Sequence, residues 1–425
     1  MRFMEKIYQH YLKGHSVSTD SRKIDKDCVF FALKGERFDG NDFALEVAEN
    51  NIASCVVADR KDLPIHERIF VVDDTLSALQ ELASLHRKKS NIPVIGITGT
   101  NGKTTTKELV AAVLSQKYNI IYTQGNFNNH IGVPLTLLNI KPETEIAIVE
   151  MGANHPGEIA QLCQIAQPDF GIITNIGKAH IEGFGSFEGI VKTKNELYDY
   201  LKTQNNKKVF VNENNELLMN LSNGMERILY GSTKDEQQIV SERQTPFLTI
   251  NWDGNTIKTN LVGDYNYENV MAAISVGYHF NVKKNLIIKA IENYSPTNNR
   301  SQYIKSNYNE IVMDAYNANP TSMKHSINNF RKISGDNSFL ILGDMKELGN
   351  ESVNEHLAII DLIKKHNFKN VFLIGNEFMK IKHDFVSFEN VDELIESLQE
   401  NPLKGMKILV KGSNSNHLEK LYKYL

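Results

Sequence analysis

The stretch IPVIGITGTNGKTTTKELVAAVL, residues 92–114, decides how this chain is read. PVIGIT is a short, apolar, largely β-branched run, the pattern of a buried strand. After Lys103 the apolar residues Leu109, Val110, Val113 and Leu114 recur at helical spacing. Two glycines, a lysine and three threonines therefore fall between a strand and the start of a helix. There, free backbone N–H groups and the helix dipole favour phosphate. The usual phosphate-loop spelling G-x-x-x-x-G-K-[ST] asks for glycine five residues before Gly102, and Ile97 stands there instead. The glycines are Gly96 and Gly99, so the loop has its own spacing. Gly99 and Gly102 let the backbone approach oxygens, Lys103 brings a cation, and Thr104 offers a hydroxyl for Mg²⁺. The competing reading is an ordinary strand-to-helix turn with a solvated lysine. The joint arrival of glycines, lysine and hydroxyls at one junction favours the cradle.

Working outward, 425 residues exceed one ordinary core and predict two or three domains. A hydrophobic content of 41% with 23% charged residues describes a soluble globular protein. A net charge of −4 gives no sign of a nucleic-acid or anionic-membrane partner. Three scattered cysteines, Cys28, Cys55 and Cys163, have neither metal-site spacing nor a disulfide framework. MRFMEKIYQHYLKG lacks the apolar core of a signal peptide, and no run is long enough to span a bilayer. The expectation is a cytoplasmic, monomeric enzyme with no membrane insertion.

Three blocks are expected: 1–89, 90–297 and 298–425. The first carries the strands CVFFAL, ASCVVAD and RIFVVDD, and the helical pattern TLSALQELASLHRKKS closes it in a basic run read as a linker before Pro93. The second contains the loop, the strands EIAIVEMG and DFGIITNIG, a polar turn-rich stretch, and the helix YENVMAAISVGYHF. SPTNNRS, residues 295–301, has the composition of a hinge. The third alternates EIVMDAYN, SFLILGDM, NVFLIGNE and KILVKGS with helical segments, and each apolar run ends in polar residues or glycine. Parallel strands do this where ligands meet their carboxyl ends.

Several side chains around this frame suit catalysis. Glu150 ends the apolar run IAIVE, and if that strand lies beside the loop strand it can meet Thr104 across one Mg²⁺. A solvated acid capping a strand is the plainer alternative. His180, in NIGKAHIEGFGS, sits at the end of the next strand, where a lone histidine is more often structural than a ligand. Lys192 and Lys194 in GIVKTKNELYDYL read most simply as a solvated helix face. Asn126, Asn128, Asn129 and His130 in TQGNFNNHIGVP form a polar cluster that also describes an ordinary turn.

Taken in order, TGTNGKTTT, GNFNNHIGVP, VEMGANHPGEIA, NIGKAHIEGFGS, DAYNANPTSM, LGDMKELG and LVKGSNS resemble the Mur ligases of bacterial cell-wall synthesis. STDSRK and FFALKGERFDG extend the resemblance to nearly the whole chain, and the unusual glycine spacing is that family's own phosphate loop. The resemblance implies an α/β protein of three domains: an N-terminal UDP-binding domain, a central P-loop ATPase-like parallel sheet and a C-terminal Rossmann-like domain. It further implies an ATP-dependent amide ligase joining D-alanyl-D-alanine to UDP-N-acetylmuramoyl-tripeptide through an acyl phosphate, in peptidoglycan precursor synthesis. Carried over by motif, Gly99, Thr100, Asn101, Gly102, Lys103, Thr104 and Thr105 bind the triphosphate. Thr104, Glu150, His180 and Lys194 serve Mg²⁺, with Lys194 matching the lysine that becomes a carbamate. Arg300 matches an arginine near the phosphates. Asn266 and Asn269 match adenine contacts, with Tyr265 where the family usually has histidine. Asp314, Tyr316 and Asn317 match the third domain's nucleotide contacts. Ser21 and Arg22 fall towards the uridine end, and Asn128 and Asn129 towards the muramoyl sugar.

Other readings are poorer fits. The region matching the D-N-P-R motif of the ligase that adds the third peptide residue lacks it, and a folylpolyglutamate synthetase gives no reason for the first block. A nucleotide-binding regulator that has lost ligation would not need Thr104, Glu150, His180 and Lys194 together.

Overall fold

The computed structural model of the chain describes residues 3–205, 207–231, 238–240 and 246–425. Its centre is a six-stranded, all-parallel sheet in the order Glu226–Tyr230, Lys208–Asn212, Phe170–Ile173, Val94–Thr98, Ile146–Glu150, Ile120–Tyr122. Val94–Thr98 is buried at every position, as its β-branched run requires. The chain leaves it through the helix Lys103–Leu114, and the later strands then add on both of its sides. The loop thus sits at the topological switch point, where crevices open at the carboxyl ends of parallel strands. Leu109, Val110, Val113 and Leu114 share one core with Val270, Ala273 and Ile274 of the helix Tyr267–His279.

A four-stranded parallel sheet precedes this one, in the order Val17–Ser18, Val29–Phe31, Cys55–Ala58, Ile69–Val71. A second six-stranded sheet follows, ordered Gln302–Lys305, Glu310–Asp314, Lys407–Lys411, Ser338–Gly343, Asn370–Ile374, Val386–Phe388. Only its first pair is antiparallel. The expected three α/β units are therefore present. Among the described residues, no helix is long and apolar enough to cross a membrane. All three cysteines are buried and free.

Two expectations need correction. The basic run before Pro93 is no loose spacer: the helix Thr75–Ser90 runs straight through it, capped by Asp74, which accepts from the Ser77 amide at 2.8 Å. Its Arg87 is buried and donates to the carbonyls of Ala166 and Gln167 and to Asp169 at 2.7 Å. Asp169 in turn accepts from the Val94 amide at 2.8 Å, at the foot of the loop strand. The same helix presents His86 to the hydroxyls of Tyr8 and Tyr11, both at 3.1 Å, and to the Ile140 carbonyl at 2.8 Å. The first sheet's core and one face of the central sheet merge into a single apolar cluster across it.

The second correction concerns the polar stretch after residue 205. It holds the last two strands of the central sheet and an antiparallel sheet that includes Phe247–Trp252 and Asn255–Val262. Asp253 and Gly254 both have positive φ, 48° and 74°, as the tight hairpin turn demands. Lys258 and Thr256 face solvent while Ile257 and Thr259 face inward. This one-sided burial makes the segment polar enough to read as turn-rich.

Replacing Arg87 by Ala removes one partner of a largely buried pair. Asp169 keeps Lys207 and some solvent, so the expected loss is about 2 kcal/mol, below the usual range for a fully buried pair. The midpoint of denaturant unfolding measures it.

Candidate functional site

The phosphate loop is held open from behind. The Asn175 carbonyl accepts from the Thr100 amide at 2.9 Å, and its side-chain oxygen accepts from the Asn101 amide at 3.0 Å. Thr174 and Asn175 donate back to the Asn101 carbonyl at 2.6 and 3.0 Å. The strand Phe170–Ile173 and the turn after it thus clasp the loop. Gly102, the residue before the helix, has φ 78°, and a β-carbon there would lie 2.5 Å from the Asn269 side-chain oxygen. Glycine is therefore required both by conformation and by space. Among the described residues no side chain caps this helix. Its first amides, which a helix cannot satisfy internally, are left to whatever enters.

Lys103 lies partly below the surface and folds back onto its own loop, donating to the carbonyls of Gly99 and Thr100 at 2.8 and 3.0 Å. Desolvation pushes its pKa down to about 8, against the pull of Glu150 and with help from Arg300. The Arg300 guanidinium stacks 3.6 Å from the Tyr316 ring centre, and its Nε is buried without a hydrogen-bond partner among the described residues. Its linker is fixed from both sides. The Ser301 amide donates to Asp314 at 3.1 Å, and the Ser301 hydroxyl bonds the Tyr265 hydroxyl at 2.6 Å.

Glu150 is 1% exposed. Its strand does lie beside the loop strand, and one carboxylate oxygen accepts from the Thr104 hydroxyl at 3.1 Å and from the Asn128 amide at 2.8 Å. The other oxygen has no hydrogen-bond partner among the described residues; it faces the buried Lys107 ammonium at 3.7 Å. A buried, half-satisfied carboxylate beside a hydroxyl is a donor set suited to a hard cation. Among the described residues, no cluster of three or more His, Cys, Asp or Glu is arranged to hold a metal by itself. This fits Mg²⁺, which usually takes one or two carboxylates and leaves the rest of its shell to water and phosphate oxygens.

These groups line one cavity of about 950 Å³ between the central and third units. Thr100 to Thr105, Glu150, His180, Asn266, Asn269, Arg300, Asp314, Tyr316 and Asn317 line it, as do Asn128 and Asn129. Several are engaged with protein. Asn269 accepts from the Thr106 hydroxyl and donates to Asn266, and Asn266 donates to the Val262 carbonyl. Asn129 accepts from the amides of Ile131 and Gly132. Asp314 takes the Lys411 ammonium at 2.6 Å and the Ser326 hydroxyl at 2.8 Å. Ser21 and Arg22 are not among the cavity's lining residues, and Arg22 pairs at the surface with Asp20.

The lysine pair on the helix Phe187–Lys202 divides. Lys192 is exposed, as a solvated face predicts, but Lys194 is 2% exposed, so that plain reading fails for it. Its Nζ has one long bond to the Ala153 carbonyl, 3.4 Å, and faces the Phe184 ring. Desolvation, and then Lys103, push its pKa down to about 7.

Sequence reasoning missed five residues here. Asn175 and Lys411 stood in quoted motifs without a role. Lys107 lay in the opening stretch, also without a role. Asn319, from the third unit, donates to the Asn101 side chain at 2.8 Å, and Glu347 meets His180. The last two contacts are interdomain, and spacing along the chain carries no sign of them.

Comparison with known proteins adds family context. Three family models match in chain order: "Mur ligase family, catalytic domain" over 13–87, "Mur ligase middle domain" over 97–277, and "Mur ligase, glutamate ligase domain" over 299–414. The UDP-N-acetylmuramoyl-tripeptide–D-alanyl-D-alanine ligase of Bacillus subtilis (strain 168) is 38% identical, covering 97% of this chain and 93% of its own length. That of Escherichia coli (strain K12) is 32% identical, covering 96% and 93%. Among solved structures, MurF from Acinetobacter baumannii superposes with a TM-score of 0.84 at 29% identity, covering 96% of this chain and 92% of that one. MurF ligase from Thermotoga maritima in complex with ADP gives 0.84 at 27%, covering 96% of each.

The depressed pKa of Lys194 has a stability consequence. Its pKa in the fold, about 7, lies below the ordinary value of 10.5, so the unfolded chain binds more protons between these limits. Its contribution to stability therefore rises from pH 7 to pH 10 and is lost as pH falls to 7. Lys194→Met should be more stable than the parent near pH 7 in CO₂-free buffer, and the difference should shrink towards pH 10. Urea midpoints of the two proteins across that range measure this.

Proposed function

The chain belongs to the Mur ligase family, and we propose that it is the ATP-dependent ligase joining D-alanyl-D-alanine to UDP-N-acetylmuramoyl-tripeptide, releasing ADP and phosphate, in peptidoglycan precursor synthesis. Support comes from relatives of that activity over nearly the full length of both chains. The observation that carries the chemistry is the uncapped helix start at Gly102, with Lys103 folded beside it and Glu150 bonded to Thr104.

A carboxylate is a poor acyl donor, so the terminal carboxylate of the tripeptide must first take the γ-phosphoryl group of ATP. The amine of D-alanyl-D-alanine then attacks the acyl phosphate as its neutral form. A tetrahedral adduct forms, and phosphate leaves with the C–O bond electrons. The free amides of Gly102 to Thr105 and the Lys103 ammonium would grip the β- and γ-phosphates. Lys103 donates to loop carbonyls without ligand; a triphosphate would draw it off them and raise its pKa from about 8. Arg300, stacked on Tyr316, would reach the phosphates from the hinge. No side-chain nucleophile is needed. Alignment is the main resource, for which effective molarities correspond to roughly 7–11 kcal/mol.

Thr104 and Glu150 would hold one Mg²⁺, with His180 and Lys194 serving a second. When bound, such ions supply positive charge where two anionic groups must approach. Lys194 suits a carbamate, since a buried amine with a pKa near 7 is substantially neutral and able to add CO₂, releasing one proton. The resulting anion would give the second cation an oxygen ligand where an ammonium would repel it. Asn266, Asn269, Asp314, Tyr316 and Asn317 would surround the nucleoside, and Ser21, Arg22, Asn128 and Asn129 would meet the UDP-sugar. Units 1–89, 90–297 and 298–425 would divide these duties as uridine, ATP and amine holders. The cytoplasm, where ATP is supplied, is the proposed compartment.

A coupled phosphate-release assay tests the reading. Release should require ATP, a UDP-muramoyl tripeptide and D-alanyl-D-alanine together, and turnover with free amino acids in place of the dipeptide would refute it. In the same assay Lys103→Ala should lose more than about 100-fold in kcat, the scale of losing an oxyanion donor, with its melting temperature unchanged. Lys194→Ala should be inactive and partly rescued by millimolar formate or acetate; normal turnover in that variant would remove Lys194 from the site.

A further inference from the structure

His180 and Glu347 come from different units and meet across the cavity's wall. His180 follows the strand Phe170–Ile173 of the central sheet; Glu347 follows Ser338–Gly343 of the third. The imidazole Nδ1 lies directly against a Glu347 carboxylate oxygen. Both residues occupy left-handed backbone, with φ 50° and 64°. Non-glycine residues carry a conformational cost there, and such strain concentrates at functional contacts.

Neighbouring contacts fix the two segments together. The Glu182 amide donates to the Glu347 carbonyl at 3.4 Å, and Lys178 pairs with the buried Glu355 at 2.8 Å. Lys324 adds a second cation to Glu355 at 3.5 Å. The Glu347 side chain is itself 53% exposed, so the His180 pair contributes little as structural cement. What it can do is orient. A carboxylate on Nδ1 holds the proton on that nitrogen and leaves the Nε2 lone pair free, as carboxylate partners of metal-ligating histidines do.

We infer that Glu347 is a positioning residue for His180, supplied by the third unit, so that the histidine is set to bind a divalent cation only when the third unit is docked. The inference rests on the reading of His180 as a metal-facing residue and adds a reason for its contact with Glu347. Cation binding and interdomain docking become one linked equilibrium: each favours the other by the same factor.

Mn²⁺ serves as the probe, with free Mn²⁺ read by electron paramagnetic resonance in titrations of the full chain with ADP. The parent, Glu347→Gln, Glu347→Ala, His180→Ala and the double alanine variant are compared, with thermal melting as the folding control. Loss of an outer-shell partner typically weakens metal binding about 10–100-fold, so Glu347→Ala should weaken Mn²⁺ by at least about 10-fold. Glu347→Gln, which keeps an acceptor, should fall between, and the double variant should match His180→Ala. Parent-like Mn²⁺ affinity in Glu347→Ala beside a defect in His180→Ala would overturn the inference alone. An equal further loss on adding Glu347→Ala to His180→Ala would also overturn it, because Glu347 would then act without the histidine. Parent-like binding in His180→Ala would remove the metal reading itself.

Discussion

The structure depends on one unsatisfied group of donors. A helix that begins at Lys103 directly after a left-handed glycine must expose its first amides, and here no described side chain takes them. Such amides are costly if buried and idle, and they are useful only if an anion arrives. Everything around them preserves that condition. Asn175 accepts from the amides of Thr100 and Asn101, and Thr174 donates to the Asn101 carbonyl, so the loop is held by its outer edge and the helix start is left open. Asn269 fills the space a side chain at residue 102 would need. Lys103 stays beside the loop on its own carbonyls rather than ranging through solvent.

The charge pattern follows from the same demand. Lys103 and Lys107 lie near both Glu150 and Arg300, Lys194 lies near Lys103, and the pKa of each of the three lysines falls chiefly because burial disfavours its charge. An anion entering beside these buried cations would favour their charged forms. Glu150 is the counterweight. Its hydrogen bonds to Thr104 and Asn128 tie the loop strand's neighbour both to the start of the loop helix and to the polar turn at 126–130.

What could be read in the sequence was local. The strand–loop–helix at 94–114, the acid at the end of IAIVE and the helix at 75–90 each follow from short-range periodicity. The hairpin at 247–262 was missed although its Asp-Gly turn is a strong signal, because half its side chains face water. Arg87 and Lys194 looked like ordinary surface cations; only tertiary packing buries them. Asn319 against Asn101 and Glu347 against His180 join residues far apart in the chain, and no spacing rule reaches that far.

The shared core across the helix Thr75–Ser90 has a broader consequence. Arg87 clamps that helix to the foot of the loop strand, while His86 ties it to Tyr8, Tyr11 and Ile140. The first two sheets are therefore fused into one frame by a shared apolar core, whereas the third meets the central unit through polar contacts such as Asn319–Asn101 and Lys178–Glu355. A frame of that kind is a measuring gauge. The separation between the first sheet and the loop strand is thereby set by the length of one helix.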